Sequence, residues 1–521
     1  MMDYPLLVRH IAERAETVFG DREIVSRTAD GIERSTYAQV VSRARRLASA
    51  LRDLGIQPGD RVATFGWNSL RHLELYLAVP SLGAVLHTLN IRLFEDDLRY
   101  IVGHAEDRVV FLDASLAGVM CHFDGVDHEI LMPDGPGERP GALEYEELVA
   151  SGDPEFAFPD LDENSAAAMC YTSGTTGRPK GVVYSHRSTV LHTLMVCSID
   201  AMGVRETDSV MPIVPMFHAN AWGLPYACAM AGARQVLPGP RMSPADLAEL
   251  IESEHVTRAA GVPTVWQGML QLDPKPDLSS LDDILAGGSA VPESLIRAFD
   301  ETFGVHVTQG WGMTETSPLA AASRLPGDVE LTEDEAYEIR ACQGRIMPLV
   351  EFRIDEEAGG ELQVRGPFIA RAYYNDDTSA EKFTEDGWLR TGDVAELRHG
   401  AYVHLVDRTK DLVKSGGEWI SSVELENEIM AHADVVEAAV IAVPDEKWGE
   451  RPCACVVLNA GVELEPDALR EFLADRVAKW WLPDRVEFID EVPKTSVGKF
   501  NKKELRARFA GAQAAAPAPG A

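Results

Sequence analysis

Short apolar runs alternate with stretches of helical apolar spacing through most of the first 315 residues, and that rhythm narrows the fold more than any other feature. Residues 7–19 and 37–54 have helix periodicity, the second through Leu47, Leu51 and Leu54, with Gly55 as its stop. Residues 61–65 read as a strand, 69–82 as a helix, 84–89 as a strand, 94–104 as a helix and 109–112 as a strand. Strands spaced by helices of this length build a wound α/β sheet, because a parallel neighbour needs a crossover connection. A Pro-, Gly- and acid-rich stretch at 133–165 reads as surface loop with one short helix. The rhythm then resumes, with strands expected at 210–214, 257–262, 284–286 and 306–309. A helix is expected at 244–254, capped by Ser243 with Pro244 at its first position, and another starts at Pro292.

From about Ser323 the strands shorten, at 352–354, 361–364, 387–393 and 402–407, which predicts a β-rich subdomain. A charged, glycine-bearing connector at 407–418 follows. It leads to a helix at 422–431, strands at 438–443 and 453–458, a helix at 465–478 and a strand at 485–489. That is a small α+β domain. The expected organisation is a large domain over 1–406, a linker at 407–418, a small domain at 419–509 and a disordered tail of Ala, Pro, Gly and Gln at 510–521.

Charge excludes one class of partner. With 83 acids against 48 bases the net charge is −35, which argues against a nucleic-acid surface. An anionic ligand would need a local basic pocket set against that field. The seven cysteines are scattered, and only Cys453 and Cys455 are close, on one face of an expected strand. That spacing is no zinc pattern and fits reduced, buried thiols. Neither a signal peptide nor an apolar run of about 18 residues is visible, so a cytoplasmic protein without a transmembrane segment is expected.

Between two strand-like runs, 166–170 and 182–184, lies Tyr171-Thr-Ser-Gly-Thr-Thr-Gly-Arg-Pro-Lys-Gly-Val182. Glycines let backbone N–H groups approach a ligand, hydroxyls add donors, and Arg178 and Lys180 add charge. That chemistry suits polyphosphate. It is not the Walker pattern, since no Gly-Lys-Ser/Thr is present and a strand follows the loop. Several other strands end in loops bearing His218, Gly288-Ser289-Ala290 and Gln309-Gly-Trp-Gly-Met-Thr-Glu315. In open α/β sheets ligands bind beyond the strand C-termini, so these loops are candidates for one site. Glu315 could give Mg²⁺ a hard oxygen, Asp393 could accept both hydroxyls of a ribose, and Lys499 could reach into a cleft. Singly, each has an ordinary reading: a capping histidine, a solvated glutamate, a turn, a surface lysine.

Taken in order, Thr172–Val182, Gln309–Glu315, Asp393, the 407–418 connector and the 493–499 segment resemble the signature of the adenylate-forming superfamily. That family joins acyl-CoA synthetases, luciferases and peptide-synthetase adenylation domains. The 214–223 stretch and the Lys-Ser-Gly-Gly-Glu-Trp419 ending are most similar to medium/long-chain fatty acyl-CoA synthetases, and short thioether-acid CoA ligases share them. The resemblance implies an ATP-dependent acyl-CoA ligase. A carboxylic acid and ATP give acyl-AMP and pyrophosphate, then coenzyme A displaces AMP while the small domain turns about Asp407. Still open are a ligase for a methylthio, aryl or terpenoid acid, and an enzyme that performs only the thioester-forming half. A non-catalytic adenylate binder would lack Glu315 or Lys499, and both are present.

Residue by residue, the resemblance implies that Thr172, Ser173, Gly174, Thr175, Thr176 and Lys180 hold the β- and γ-phosphates, with Thr172 and Glu315 as the magnesium pair. Gly288, Ser289, Ala290, Gln309, Gly310, Trp311 and Thr314 match the adenine and α-phosphate surroundings, and Asp393 and Arg408 the ribose contacts. Lys410, Lys414 and Trp419 match linker residues near the nucleotide. Lys499 matches the lysine that bridges carboxylate and α-phosphate, and His218 is carried over as catalytic. Trp222, Gly261, Pro263, Trp266, Gly287 and Met313 are expected around the acyl group. Trp222, four residues after His218, would share a helix face with it. Fatty-acid relatives often dimerise, so a homodimer is implied too.

Overall fold

A computed structural model describes residues 1–509 except 120–121, 173–177, 328, 378, 417, 446 and 496–499. Ser173, Gly174, Thr175, Thr176, Lys499, Cys121 and the expected tail therefore lie outside the described residues. The wound α/β architecture is present twice. One sheet has nine strands, whose parallel centre runs His306–Gly312, Asp283–Gly287, Arg258–Gly261, Ser209–Pro212, Arg234–Leu237 and Glu23–Arg27. The other has seven, with Asp107–Asp113, Arg61–Phe65, Val85–Thr88 and Ala166–Tyr171 adjacent and parallel. A four-stranded antiparallel sheet, Glu351–Asp355 to Tyr402–Arg408, forms the β-rich subdomain, and a five-stranded sheet forms the C-terminal part.

Strand alternation explains the layering. In Asp107–Asp113, Val109 and Phe111 face the central core, while Val110 and Leu112 join a second core with Leu98 and Ile101 of the outer helix Glu95–Ala105. In Arg258–Gly261 and Asp283–Gly287, Ala260 and Leu285 face the central core while Ala259, Ile284 and Ala286 pack under Leu250, Ile296 and Phe299. Period two thus sends successive side chains to different layers. Between the sheets lies Leu70–Leu82, capped by the Ser69 hydroxyl accepting from the His72 N–H, and apart from Arg71 all its residues are buried. A helix covered on all sides is mostly apolar and pairs the polar groups it buries, here His72 with Thr64 at 2.9 Å and Glu74 with Arg43 at 2.7 Å, and each fully buried Leu there is worth about 1.5–3 kcal/mol.

One expected element is shorter than expected, and a hairpin and a helix were not expected. The connector at 407–418 contains structure: Val413–Ser415 and Glu418–Ile420 pair as a hairpin, and Ser415 pairs with Gly449 of the C-terminal sheet. The irregular part of the connector is thereby short, because the backbone groups of 413–415 find partners in the sheet. The helix expected at 465–478 ends at Leu473. Lys502–Phe509 is a helix that periodicity did not reveal, since among its eight residues only Leu505 and Phe509 are buried.

Candidate active site

The C-terminal ends of strands from both large sheets open on one cavity of about 610 Å³. Ala166–Tyr171 delivers Thr172, and Gly181–Ser185 follows Lys180 antiparallel to it. The Thr172 N–H donates to the Lys180 carbonyl at 2.9 Å, and the Lys180 N–H to Thr172 Oγ1 at 3.1 Å. The loop is therefore closed at its neck by its own backbone. Lys180 Nζ is 3.1 Å from Asp376 Oδ2 and 4.8 Å from the centre of the Tyr373 ring. The Tyr373 hydroxyl donates to Oε1 of Glu315, which is 4% exposed. Burial, then the neighbouring carboxylate, pushes that phenol up from its ordinary value. Sequence reasoning missed Tyr373, and nothing in its spacing marks it as the bracket between Lys180 and Glu315.

Five cationic side chains line this cavity, Arg178, Lys180, Lys382, Arg408 and Lys410, against the carboxylates Glu315 and Glu381. The basic pocket needed within a chain of charge −35 is present. Asp393 accepts from Trp311 Nε1 at 3.0 Å through one oxygen and from Arg408 Nε at 3.1 Å through the other. Its charge holds the Arg408 guanidinium above its ordinary value, while burial lowers the ammonium of Lys410. Gln309 is buried, accepting from the Val291 N–H at 2.6 Å and donating to the Ala341 carbonyl at 2.8 Å. It fixes the loop that carries Gly288, Ser289 and Ala290.

The apolar wall is Trp222, Leu285, Gly287, Met313, Pro318 and Leu319, with His218 beside it. The helix expected across His218 and Trp222 is absent. Ala219, Asn220, Ala221, Trp222 and Gly223 all have positive φ, between 43° and 78°. Left-handed backbone costs about 1–2 kcal/mol per L-residue, so it persists only where its surroundings enforce it. Here Asn68 Nδ2 donates to the carbonyls of Pro212 and Val214 at 2.7 and 3.0 Å, and the Met216 N–H donates to Asn68 Oδ1 at 2.7 Å. Tyr76 donates to the Met216 carbonyl, Thr88 Oγ1 to that of Phe217 at 3.3 Å, and Cys170 Sγ to Asn220 Oδ1 at 3.2 Å. These anchors come from other elements of the fold, so local sequence could not foretell them.

A second cavity of about 540 Å³ adjoins the first. Gly288, Ser289, Ala290, Gln309, Asp393, Asp407, Arg408 and Lys410 meet Thr495, Phe500 and Lys502 of the C-terminal part there, and Pro263 lies at its edge. Thr495 and Phe500, on either side of 496–499, thus share this cavity with the loops at Gly288 and Gln309. Burial raises the Asp407 carboxyl, which accepts the N–H groups of Arg408 at 2.6 Å and Ser422 at 2.5 Å. Four residues expected at the site, Gly261, Trp266, Lys414 and Trp419, line neither cavity. Trp266 is fully buried in the core, edge-on to Phe299 and donating to the Gly261 carbonyl at 3.2 Å. Gly261 serves as its seat. Lys414 and Trp419 face each other on the outer hairpin, 5.4 Å from Nζ to ring centre, with Trp419 52% exposed.

Residues 12–374 match the AMP-binding enzyme family and 424–499 the AMP-binding enzyme C-terminal domain, so the chain belongs to the adenylate-forming AMP-binding enzymes. It is 47% identical over 529 residues to a long-chain-fatty-acid–CoA ligase of Thermus thermophilus, covering 98% of this chain and 96% of that one. It is 44% identical over 531 residues to a 3-methylmercaptopropionyl-CoA ligase of Ruegeria lacuscaerulensis, covering 98% of each. Among solved structures, the anthranilate CoA ligase AuaEII in complex with anthranoyl-AMP aligns with a TM-score of 0.88 at 25% identity, covering 97% and 98% of the two chains. The chain is an ATP-dependent, AMP-forming acid–CoA ligase, with ATP and CoA as substrates. Among the described residues no helix is long and apolar enough to cross a membrane.

Proposed function

We propose that the chain joins a medium- or long-chain fatty acid to coenzyme A in two steps at the larger cavity. The observation that carries this reading is one space lined both by the cations Lys180 and Arg408, with Thr172, and by the apolar side chains Trp222, Leu285 and Leu319. A carboxylate is a poor electrophile, and adenylation gives its oxygen a good leaving group. Lys180 and the Thr172 loop take the pyrophosphate end of ATP. Gly288, Gly310 and Trp311 flank the base, and Asp393 with Arg408 takes the ribose. Lys499 bridges the acid and the α-phosphate, where charge stabilisation is worth about 3–4 kcal/mol. His218 and Trp222 border the carboxyl end of the acid. Domain limits of 1–406, 407–418 and 419–509 go with this reading, Asp407 being the pivot.

The donor set fits magnesium. Glu315 and Thr172 offer hard oxygens on the same cavity wall, and no cluster of three or more His, Cys, Asp or Glu among the described residues could hold a metal alone. Such a site leaves most of the coordination to substrate phosphates, as this ion prefers. When bound, it would neutralise phosphate charge. Family likeness also supports a homodimer in the cytoplasm, which light scattering on the purified chain would test for its first part.

A short thioether acid is the second reading, favoured by the 44% identical methylmercaptopropionyl ligase. An acid panel separates the two. ATP–pyrophosphate exchange and CoA-dependent AMP release should both rise with saturated medium or long chains. No exchange with any acid, alongside thioester formation from supplied adenylates, would sink the two-step proposal.

A further inference from the structure

Arg178 is the second cation of the phosphate loop, and the proposed mechanism gives it no task. The structure ties it to a helix, Glu95–Ala105, none of whose residues lines either cavity. Its guanidinium lies 4.8 Å from the centre of the Tyr100 ring on Glu95–Ala105. Tyr100 stacks on His104 of the same helix at 5.3 Å and 28°. His104 Nδ1 is hydrogen-bonded to the Tyr171 hydroxyl at 2.7 Å, and Tyr171 is the residue before Thr172. On its far side the Tyr171 ring lies 5.2 Å from His87, whose Nδ1 sits 2.8 and 2.9 Å from the two oxygens of buried Asp107.

The other end of the loop reaches the same platform. The Tyr374 N–H donates to the Gly181 carbonyl at 2.8 Å, and the Tyr374 ring stands edge-on to His104 at 5.8 Å. A Cβ on Gly181 would come within 3.1 Å of Tyr171 Cζ and 3.2 Å of Tyr374 Cβ, so a glycine is what lets both rings close on the neck. Tyr171, Arg178 and Gly181 are therefore held from one aromatic–imidazole surface, although they span the whole loop.

We propose that Tyr100, His104 and Tyr171 are positioning residues for the phosphate loop, Tyr100 by seating Arg178 at the cavity and His104 by fixing the Tyr171 end. This rests on the reading of that loop as the pyrophosphate-end holder. Only binding and release of the polyphosphate should feel the platform. Acyl transfer from a ready-made adenylate to CoA has no polyphosphate and should not.

The test compares Tyr100→Leu, Tyr100→Phe, Tyr171→Phe and Lys180→Ala in acid-dependent ATP–pyrophosphate exchange, and in thioester formation from supplied acyl-AMP plus CoA. Tyr100→Leu should raise the KM for ATP and for pyrophosphate about two- to five-fold, the range of an exposed cation–π contact, with the acid KM unchanged. Tyr171→Phe should do likewise, and Tyr100→Phe, which keeps the ring, should restore the parent values. Neither of the Tyr100 variants nor Tyr171→Phe should slow thioester formation. If Lys180→Ala raises the KM for ATP and Tyr100→Leu does not, the platform proposal is overturned and the loop reading stands. If Tyr100→Leu depresses both half-reactions alike, its role is only structural and the proposal is again overturned. If Lys180→Ala leaves exchange untouched, the loop reading itself falls, and the platform with it.

Discussion

A single methyl group at Gly287 should discriminate among acids. Gly287 and Gly310 are register partners on the parallel strands Asp283–Gly287 and His306–Gly312, where both strands reach the cavity. A Cβ on Gly287 would stand 2.7 Å from the Gly310 carbonyl oxygen and 3.4 Å from Cη2 of Trp222. The first contact is with backbone, so the strand ends must part by a few tenths of an ångström. The second is ordinary contact, but it takes space at the apolar wall. Overpacking of this kind costs about 1–3 kcal/mol. At about 1.4 kcal/mol per factor of ten, that is roughly five- to 150-fold in an equilibrium or specificity constant. Gly287→Ala should therefore lower the melting temperature by a few degrees, because the strands part. It should also lower kcat/KM for acids by about tenfold, more for bulkier acids than for short ones. The assay is pyrophosphate exchange over saturated acids of increasing length, with thermal unfolding alongside. Equal kcat/KM values for parent and variant across the series, at an unchanged melting temperature, would refute both the close contact and the location of the acyl end.

Further outcomes follow from the same geometry. Lys499→Ala should cut adenylation by about 10²–10³-fold while leaving thioester formation from supplied adenylate within about threefold, and equal loss of both rejects its assignment. Tyr373→Phe removes the donor to Glu315 at a cost of about 1.5–3 kcal/mol, so exchange should need more magnesium for half-maximal rate; an unchanged magnesium titration would contradict the pairing. Burial lowers the His192 imidazole to about 3 from 6.5, and its Nε2 accepts the Leu319 N–H at 3.1 Å. The folded chain then binds fewer protons at this group than the unfolded one, so stability is lost as pH falls from 6.5 toward 3. His192→Asn should flatten the fall of the urea midpoint over that window, and an unaltered slope would remove this histidine from acid unfolding.

What could be read from the chain was local. The strand at Arg61–Phe65, the Ser243 cap and the strand after the phosphate loop each carry their signal within about ten residues. The partner of a strand does not. Glu23–Arg27 and Ile32–Thr36 form a hairpin on the edge of the nine-stranded sheet, and Ile24 pairs with Gln235 more than two hundred residues away. A signal was there, since Asp30-Gly31 is a turn pair between two short runs, but its sheet could only be seen in three dimensions. Trp266 illustrates the opposite error. A tryptophan near a strand end looks like a pocket wall, and only the seat offered by Gly261 and Phe299 turns it inward. The left-handed path at 219–223 had no local sign: Asn68, Tyr76 and Thr88 fix the 212–217 segment that leads into it, and Cys170 reaches Asn220 within it.

Within the 212–217 segment those three anchors bond to main-chain atoms. Their grip is indifferent to which side chains the loop displays. The course of 212–217 can thereby be kept whichever side chains that segment displays. A lineage can change its diet without relearning how to activate a carboxylate, and ligases for long-chain, thioether and aromatic acids on one scaffold are what such freedom would leave behind.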